Sequence, residues 1–322
     1  METLWKRYWF KRLPILEQNA AAWAAHTERH WNLEPYRPAD PVPAEEVKLL
    51  IRQFMPELLA EFEALVSASP DRSGQAQMIA MHNLRPFFSG CSNSISLRSG
   101  YPTLIRNYDF ATDGFSGVFR YEPTPDGGWI IGSAECGWGY LDGLNHHGLA
   151  VAITFGGSFE VGDGFSIPII VRYLLRTCAT VPEAAERLNA LPHRLVQNLS
   201  LLDRDGRYCV VYASPDQVTA EHGLLCCTNH QQRIQESGHV EHGTVERFDH
   251  LFKRAGDVSP EVFLEPPLHS KRFSDQFGTL YTVEIDPRSG TVHYHWLEGR
   301  QLRVSPDSPE TEFSIALSDR ED

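Results

Sequence analysis

The residue whose type and setting most readily do chemistry is Cys91, which follows Gly90 directly and opens a strand-like stretch, SNSISLRSG. A thiol there can attack the preceding Gly90 carbonyl, move the chain onto sulfur as a thioester, and release a new N-terminus on hydrolysis. Glycine before the cut supplies the backbone freedom that a strained scissile peptide needs. The freed α-amine, with an ordinary pKa near ~8, then sits on the nucleophile's own residue. It can take the thiol proton directly or through a water, so no histidine is required. On residue type alone, the plain alternative is a buried cysteine acting as a small hydrophobe.

Fourteen histidines offer a different chemistry. His146-His147, His230 and His239-Val-Glu-His242 include an HxxH pair that can share one helical face, and a carboxylate such as Asp249 would complete a zinc set. The segment GHVEHG is bounded by glycines and reads as loop. A metal-dependent hydrolase is therefore the alternative, and no metal or cofactor is expected at the leading site.

The elements that must position Cys91 change character along the chain. The first ninety residues read as helix-rich, with a Pro-punctuated break around residues 35–43. Beyond it Val47, Leu50, Phe54, Leu58, Phe62 and Leu65 recur every three or four residues as one helical stripe. Pro56 counts against a single straight helix, because it removes a backbone donor. From Cys91 onward come short strands: SISLRSG, TLIRNYDF, GVFRYEP, GWIIGSAE and LAVAITF, separated by Gly, Pro and Asp turn signals. Two helical segments follow in SIPIIVRYLLRTCATVPEAAERLNAL. VQNLSLLDRDGRYCVVYAS and TLYTVEIDPRSGTVHYHW then read as hairpins. Strands, helices and more strands predict an α+β fold with helices layered on antiparallel sheets.

Composition sets outer bounds. The 322 residues suffice for a large core, and 42% hydrophobic with 22% charged residues is ordinary for a folded domain. A net charge of −13 argues against wholesale binding of nucleic acid or anionic membrane. No apolar run approaches the ~20 residues that span a bilayer. The six cysteines follow no metal or disulfide framework, and the adjacent Cys226 and Cys227 read as core. A cytoplasmic protein is expected, acting on a small-molecule acyl-amide; a homo-oligomer stays open.

GCSNSISLRSGYPTLIRNYDF resembles the start of the mature chain in the acyl-CoA:6-aminopenicillanate acyltransferase and choloylglycine hydrolase-like N-terminal-nucleophile (Ntn) family, which also includes acid ceramidase. GLNHHGLAVAITF, RYLLRTCATVPEAAERL, the CTNH stretch, ERF near residue 247 and TLYTVEIDPRSGTV match in the same order, together covering most of residues 82–296. The resemblance implies a four-layer αββα Ntn-hydrolase sandwich. It implies a helical segment over 1–90 (propeptide or small chain) and a catalytic domain over 91–322, cut between Gly90 and Cys91. It further implies Cys91 as nucleophile, Asp109 holding the α-amine, Arg106 tuning the thiol, Asn229 donating to the oxyanion and Arg247 packed behind the site. Thr154 stands where many relatives carry a second oxyanion asparagine. Read without the family, Arg106 and Asp109 would equally be a surface ion pair, Asn229 a turn residue and Arg247 part of a solvated helix face. A non-catalytic member that only binds is the remaining alternative.

Overall fold

The chain opens with a strand, β1 (Leu4–Arg12), in which Tyr8 and Phe10 are buried while Trp5 and Arg7 are exposed, the period-two pattern of a half-buried strand. The helices expected in the first ninety residues come only after it: α1 (Ala20–His30), α2 (Ala44–Phe54), α3 (Leu59–Ala68) and α4 (Gln75–Ala80). The stripe from Val47 to Leu65 divides at Pro56, where a 3₁₀ turn over Pro56–Leu58 joins α2 to α3. The structure is a computed structural model and describes residues 4–38, 40–70, 72–86, 90–231, 243–275 and 277–319.

From Gly90 the chain runs through β2 (Gly90–Ser96), β3 (Thr103–Phe110), β4 (Val118–Pro123), β5 (Trp129–Glu135), β6 (Gly139–Asn145) and β7 (Ala150–Phe155). Helices α5 (Ile167–Thr177) and α6 (Val181–Ala190) lead into β8 (Gln197–Leu202), β9 (Tyr208–Ala213), β10 (Val218–His222) and β11 (Cys226–Cys227). The last stretch holds α7 (Thr244–Phe252), α8 (Pro260–Phe263), β12 (Lys271–Arg272), β13 (Phe277–Asp286), β14 (Thr291–His295), β15 (Gln301–Val304) and β16 (Thr311–Leu317).

These strands make two sheets. The first is nine-stranded, in the order β10-β9-β8-β7-β6-β5-β4-β1-β16. The second runs β11-β2-β3-β13-β14-β15, with β12 against β13. Every pairing is antiparallel except β1 with β4. Helices α5 and α6 cover the first sheet and α7 and α8 the second, while β2 and β3 face β7 and β8 across the middle. This is the expected four-layer αββα sandwich.

Aromatic rings fill the space between the sheets: Phe119 of β4 stacks on Tyr294 of β14 at 3.8 Å, and Tyr8 of β1 meets Trp296 edge-on at 5.0 Å. Strand β1 is thus built into the core. The helices behind it are tied on by buried charge: Arg172 of α5 pairs with Glu61 of α3 at 2.7 Å and with Glu122 of β4 at 2.8 Å. All six cysteines are free and buried. Among the described residues, no helix is long and apolar enough to cross a membrane.

Candidate active site

Strand β2 carries the thiol and lies between β3 and β11. Its register with β3 sets Gly90 opposite Asp109, Cys91 opposite Tyr108 and Asn93 opposite Arg106. A Cβ at position 90 would lie 2.2 Å from the Phe277 ring, so any larger residue there must displace that ring. Side chains alternate across a strand, and residues directly opposite share a face. Cys91, Asn93, Arg106 and Tyr108 therefore point inward, toward the first sheet. Ser92 and Asp109 point outward, toward α7. The Arg-Asn-Tyr-Asp spacing of three sends its two charged ends to opposite faces of β3.

On the inner face, Arg106 Nη2 donates to Cys91 Sγ at 3.2 Å. The rest of that guanidinium is held by the first sheet and β13. Its Nε donates to the Ile153 carbonyl at 3.0 Å, and its Nη1 donates to Tyr281 Oη at 3.0 Å and to the Asp142 carboxylate. Tyr281 and Ser133 hydroxyls each donate to Asp142 at 2.7 Å, which fixes the carboxylate. Burial pushes the Cys91 thiol up from its ordinary value, with the Arg106 cation opposing it.

On the outer face, Asn229 Oδ1 accepts from the Cys91 backbone nitrogen at 3.1 Å and from Arg247 Nη2 at 2.7 Å. Arginine only donates, so the atom facing it must be the amide oxygen, and Asn229 Nδ2 points the other way, with the Phe155 carbonyl 3.4 Å off. Arg247 Nη1 also donates to the Cys91 carbonyl at 3.0 Å, to Ser92 Oγ at 2.9 Å and to Asp109 Oδ2 at 3.2 Å. Thr279 completes the carboxylate's shell at 2.6 Å. Burial pushes the Asp109 carboxyl up, with Arg247 and Thr279 opposing.

Five of the residues singled out from sequence thus meet in one buried network: Cys91, Arg106, Asp109, Asn229 and Arg247. The surface-pair, turn and solvated-face readings do not match these positions. Arg106 and Asp109 are both fully buried, each with its own partners rather than paired across a surface. Arg247 is buried in α7, not on its solvated face, and Asn229 bonds the Cys91 backbone rather than its own turn. The acceptor on the Cys91 nitrogen is Asn229; Asp109 accepts from the same Arg247 that donates to Asn229. Thr154 sits between Ile153 and Phe155, whose carbonyls accept from Arg106 and Asn229, while its own hydroxyl donates to the Thr228 carbonyl at 2.9 Å and accepts from Asn198 at 3.0 Å. Sequence reasoning missed Asp142, Tyr281 and Thr279. The one signal for Asp142 is a lone charge among apolar strand residues.

Only part of the histidine alternative falls within the described residues. Among the described residues, His146, His147, His230 and Asp249 form no group close enough to share an ion. His230 Nδ1 instead lies 2.9 Å from Thr244 Oγ1. His239 and His242 lie outside the described residues. A cavity of about 530 Å³ is lined by Trp5, Phe273, Trp296 and Phe313 and reaches Thr279 and Tyr281.

The family model for acyl-coenzyme A:6-aminopenicillanic acid acyl-transferase matches residues 97–301, more than half of the chain. The protein belongs to this family. The match takes in Arg106, Asp109, Thr154, Asn229 and Arg247, and begins just after Cys91. Among solved structures, a mutant of the conjugated bile acid hydrolase from Clostridium perfringens aligns over 71% of this chain and 98% of its own, at 12% identity and a TM-score of 0.48. Penicillin V acylase from Agrobacterium tumefaciens aligns over 67% and 86%, at 16% identity and 0.41. The N-acylethanolamine-hydrolyzing acid amidase ortholog of Caenorhabditis elegans aligns over 62% and 93%, at 11% identity and 0.38. No curated protein matches the sequence.

Proposed function

We propose that the chain is an autoprocessed cysteine enzyme of the N-terminal-nucleophile type, hydrolysing a small-molecule amide or transferring its acyl group through a thioester on Cys91. One observation carries this reading. The buried Cys91 thiol follows Gly90 directly, has Arg106 Nη2 at 3.2 Å from sulfur, and has Asn229 Oδ1 at 3.1 Å from the nitrogen that would become the α-amine. Membership of the acyl-transferase family supports the same chemistry.

In processing, sulfur adds to the Gly90 carbonyl carbon, the Gly90–Cys91 C–N bond breaks as the nitrogen takes a proton, and water cleaves the thioester. A Gly90 carboxylate and a free Cys91 α-amine result. Turnover repeats these steps on substrate: the thiol acylates, the amine leaves protonated, and water or a second amine takes the acyl group. Arg106 favours the thiolate, the reactive form. Asn229 Nδ2, whose bond to Phe155 is long, is the donor assigned to the oxyanion, a role typically worth ~10²–10³ in rate. Arg247 and Asp109 hold Asn229 in that orientation. Residues 1–90 would remain as the smaller chain, since β1 sits between β4 and β16.

Intact mass of the purified protein under denaturing conditions tests the cut. Wild type should give a species running from Cys91 to Asp322, and Cys91→Ala should not. An uncut wild type with full activity towards an acyl-amide panel rejects autoprocessing; an inactive panel with a clean cut confines the doubt to substrate choice.

A further inference from the structure

Away from the thiol, the β13–β14 hairpin gathers Glu284, His293 and His295. Glu284 pairs directly with His293, and His295 follows two residues on, so the three share one face. The intervening Tyr294 stacks on Phe119 of the first sheet, so this face is the outer one, on the side of α8. One donor atom from each of the three lies within 4.8 Å of the others, and the two imidazoles are 4.1 Å apart.

Two further features point to a ligand. His295 is only 5% exposed, and its Nε2 is a buried nitrogen with no hydrogen-bond partner among the described residues. Buried polar atoms are rarely left unsatisfied, and a cation would satisfy this one. Thr103 Oγ1 donates to Glu284 Oε1 at 3.0 Å, the kind of outer contact that orients a ligating carboxylate. Glu261 of α8 adds negative charge near both His295 and Glu284. Against the site stands Arg303, which pairs with His293 across β14–β15; among the described residues it forms no ion pair with Glu284.

We propose that Glu284, His293 and His295 bind a divalent transition-metal ion of the zinc class, bracing the β13–β14 hairpin. Two imidazoles and a carboxylate suit zinc, whereas calcium and magnesium prefer all-oxygen shells. Bond lengths of ~2.0–2.2 Å allow any two ligand atoms about 4 Å of separation, so binding needs only a small side-chain closure. The ~530 Å³ cavity, lined by His269, Thr282 and His295, supplies an entry path. The brace matters because β13 also carries Thr279 and Tyr281, which hold Asp109 and the Arg106–Asp142 pair. This inference is independent of whether the chain is cut before Cys91.

The test uses the full chain without affinity histidines, stripped with chelator and titrated with Zn²⁺ by calorimetry and with Co²⁺ by visible absorption. One ion per chain, a four-coordinate Co²⁺ spectrum and a raised Tm are expected. His293→Gln and Glu284→Gln should each weaken binding by at least about 100-fold, while a His146→Gln/His147→Gln control should not. Should the variants misfold, wild type still decides: Zn²⁺ should protect His293 and His295 from diethylpyrocarbonate, read by peptide mass. Absence of a saturable one-to-one site, binding unchanged in His293→Gln, or no protection of these two histidines overturns the proposal.

Discussion

Removing the cation beside the sulfur should move the reactivity of Cys91 to higher pH. Arg106 Nη2 lies 3.2 Å from Sγ in a fully buried site, where burial pushes the thiol up and Arg106 pulls it back. An opposite charge at such range typically shifts a pKa by ~1–3 units. Asp142 shares this guanidinium, so only part of the cation's pull reaches the sulfur, and each unit of that pull is equivalent to about 1.4 kcal/mol of thiolate stabilisation. At fixed pH below the midpoint, each unit by which the midpoint rises lowers the thiolate fraction about tenfold, while the more basic sulfur regains roughly 3-fold in nucleophilicity, a net slowing of about 3-fold. Arg106→Gln alone would leave Asp142 buried and unpaired, at a cost of about 3–5 kcal/mol. The informative variant is therefore Arg106→Gln/Asp142→Asn, which removes both charges and keeps groups able to bond Tyr281 and Ser133. The assay is the pH dependence of Cys91 alkylation by a small neutral reagent on processed enzyme, read by peptide mass so that the other five cysteines do not contribute. The midpoint should rise, and the alkylation rate at fixed lower pH should fall with it. A folded double variant whose midpoint stays in place, or falls, refutes the assignment of Arg106 as the group that tunes the thiol.

Three further outcomes follow from the packing. Gly90→Ala puts a Cβ 2.2 Å from the Phe277 ring, so the variant should lose about 1–3 kcal/mol in denaturant unfolding and process slowly by intact mass; adding Phe277→Leu should restore both. Glu61→Ala strands Arg172 with one of its two carboxylates and should cost about 3–5 kcal/mol, and in a processed sample residues 1–90 should dissociate at lower denaturant than in wild type. Burial holds His26 at about 3 and His269 at about 4, below their ordinary 6.5. As pH falls below 6.5 the unfolded chain binds protons that the folded chain refuses, so stability drops, on the order of 2 kcal/mol per histidine by pH 5, with His269→Gln flattening the slope.

What could be read from the sequence, and what could not, divides along the range of the contacts. Gly90, Cys91, Arg106 and Asp109 lie on two strands joined by a short turn, so their proximity follows from one antiparallel register. Their division of labour was also legible in principle, since a spacing of three along a strand must send Arg106 and Asp109 to opposite faces. Strand β1 was not legible. Its Tyr8–Phe10 alternation is short and interrupted by cations, and its partners lie about 110 residues away in β4 and 300 away in β16. Asp142 was hidden because it reaches Arg106 only where the two sheets face one another, and Tyr281 because β13, the neighbour of β3 in its own sheet, comes 175 residues after Arg106 in the chain. Thr154 shows the limit from the other side, because matching position did not predict that its hydroxyl would turn to the Thr228 carbonyl and Asn198. The parity of β2 and β3 explains why the site has two halves. The inward face handles the sulfur through a cation anchored in the opposite sheet. The outward face handles the backbone nitrogen and carbonyl of Cys91 through Asn229 and Arg247. A substitution on one face should therefore alter thiol reactivity, and one on the other should alter the amide end of Cys91, with the strand itself keeping the two effects apart.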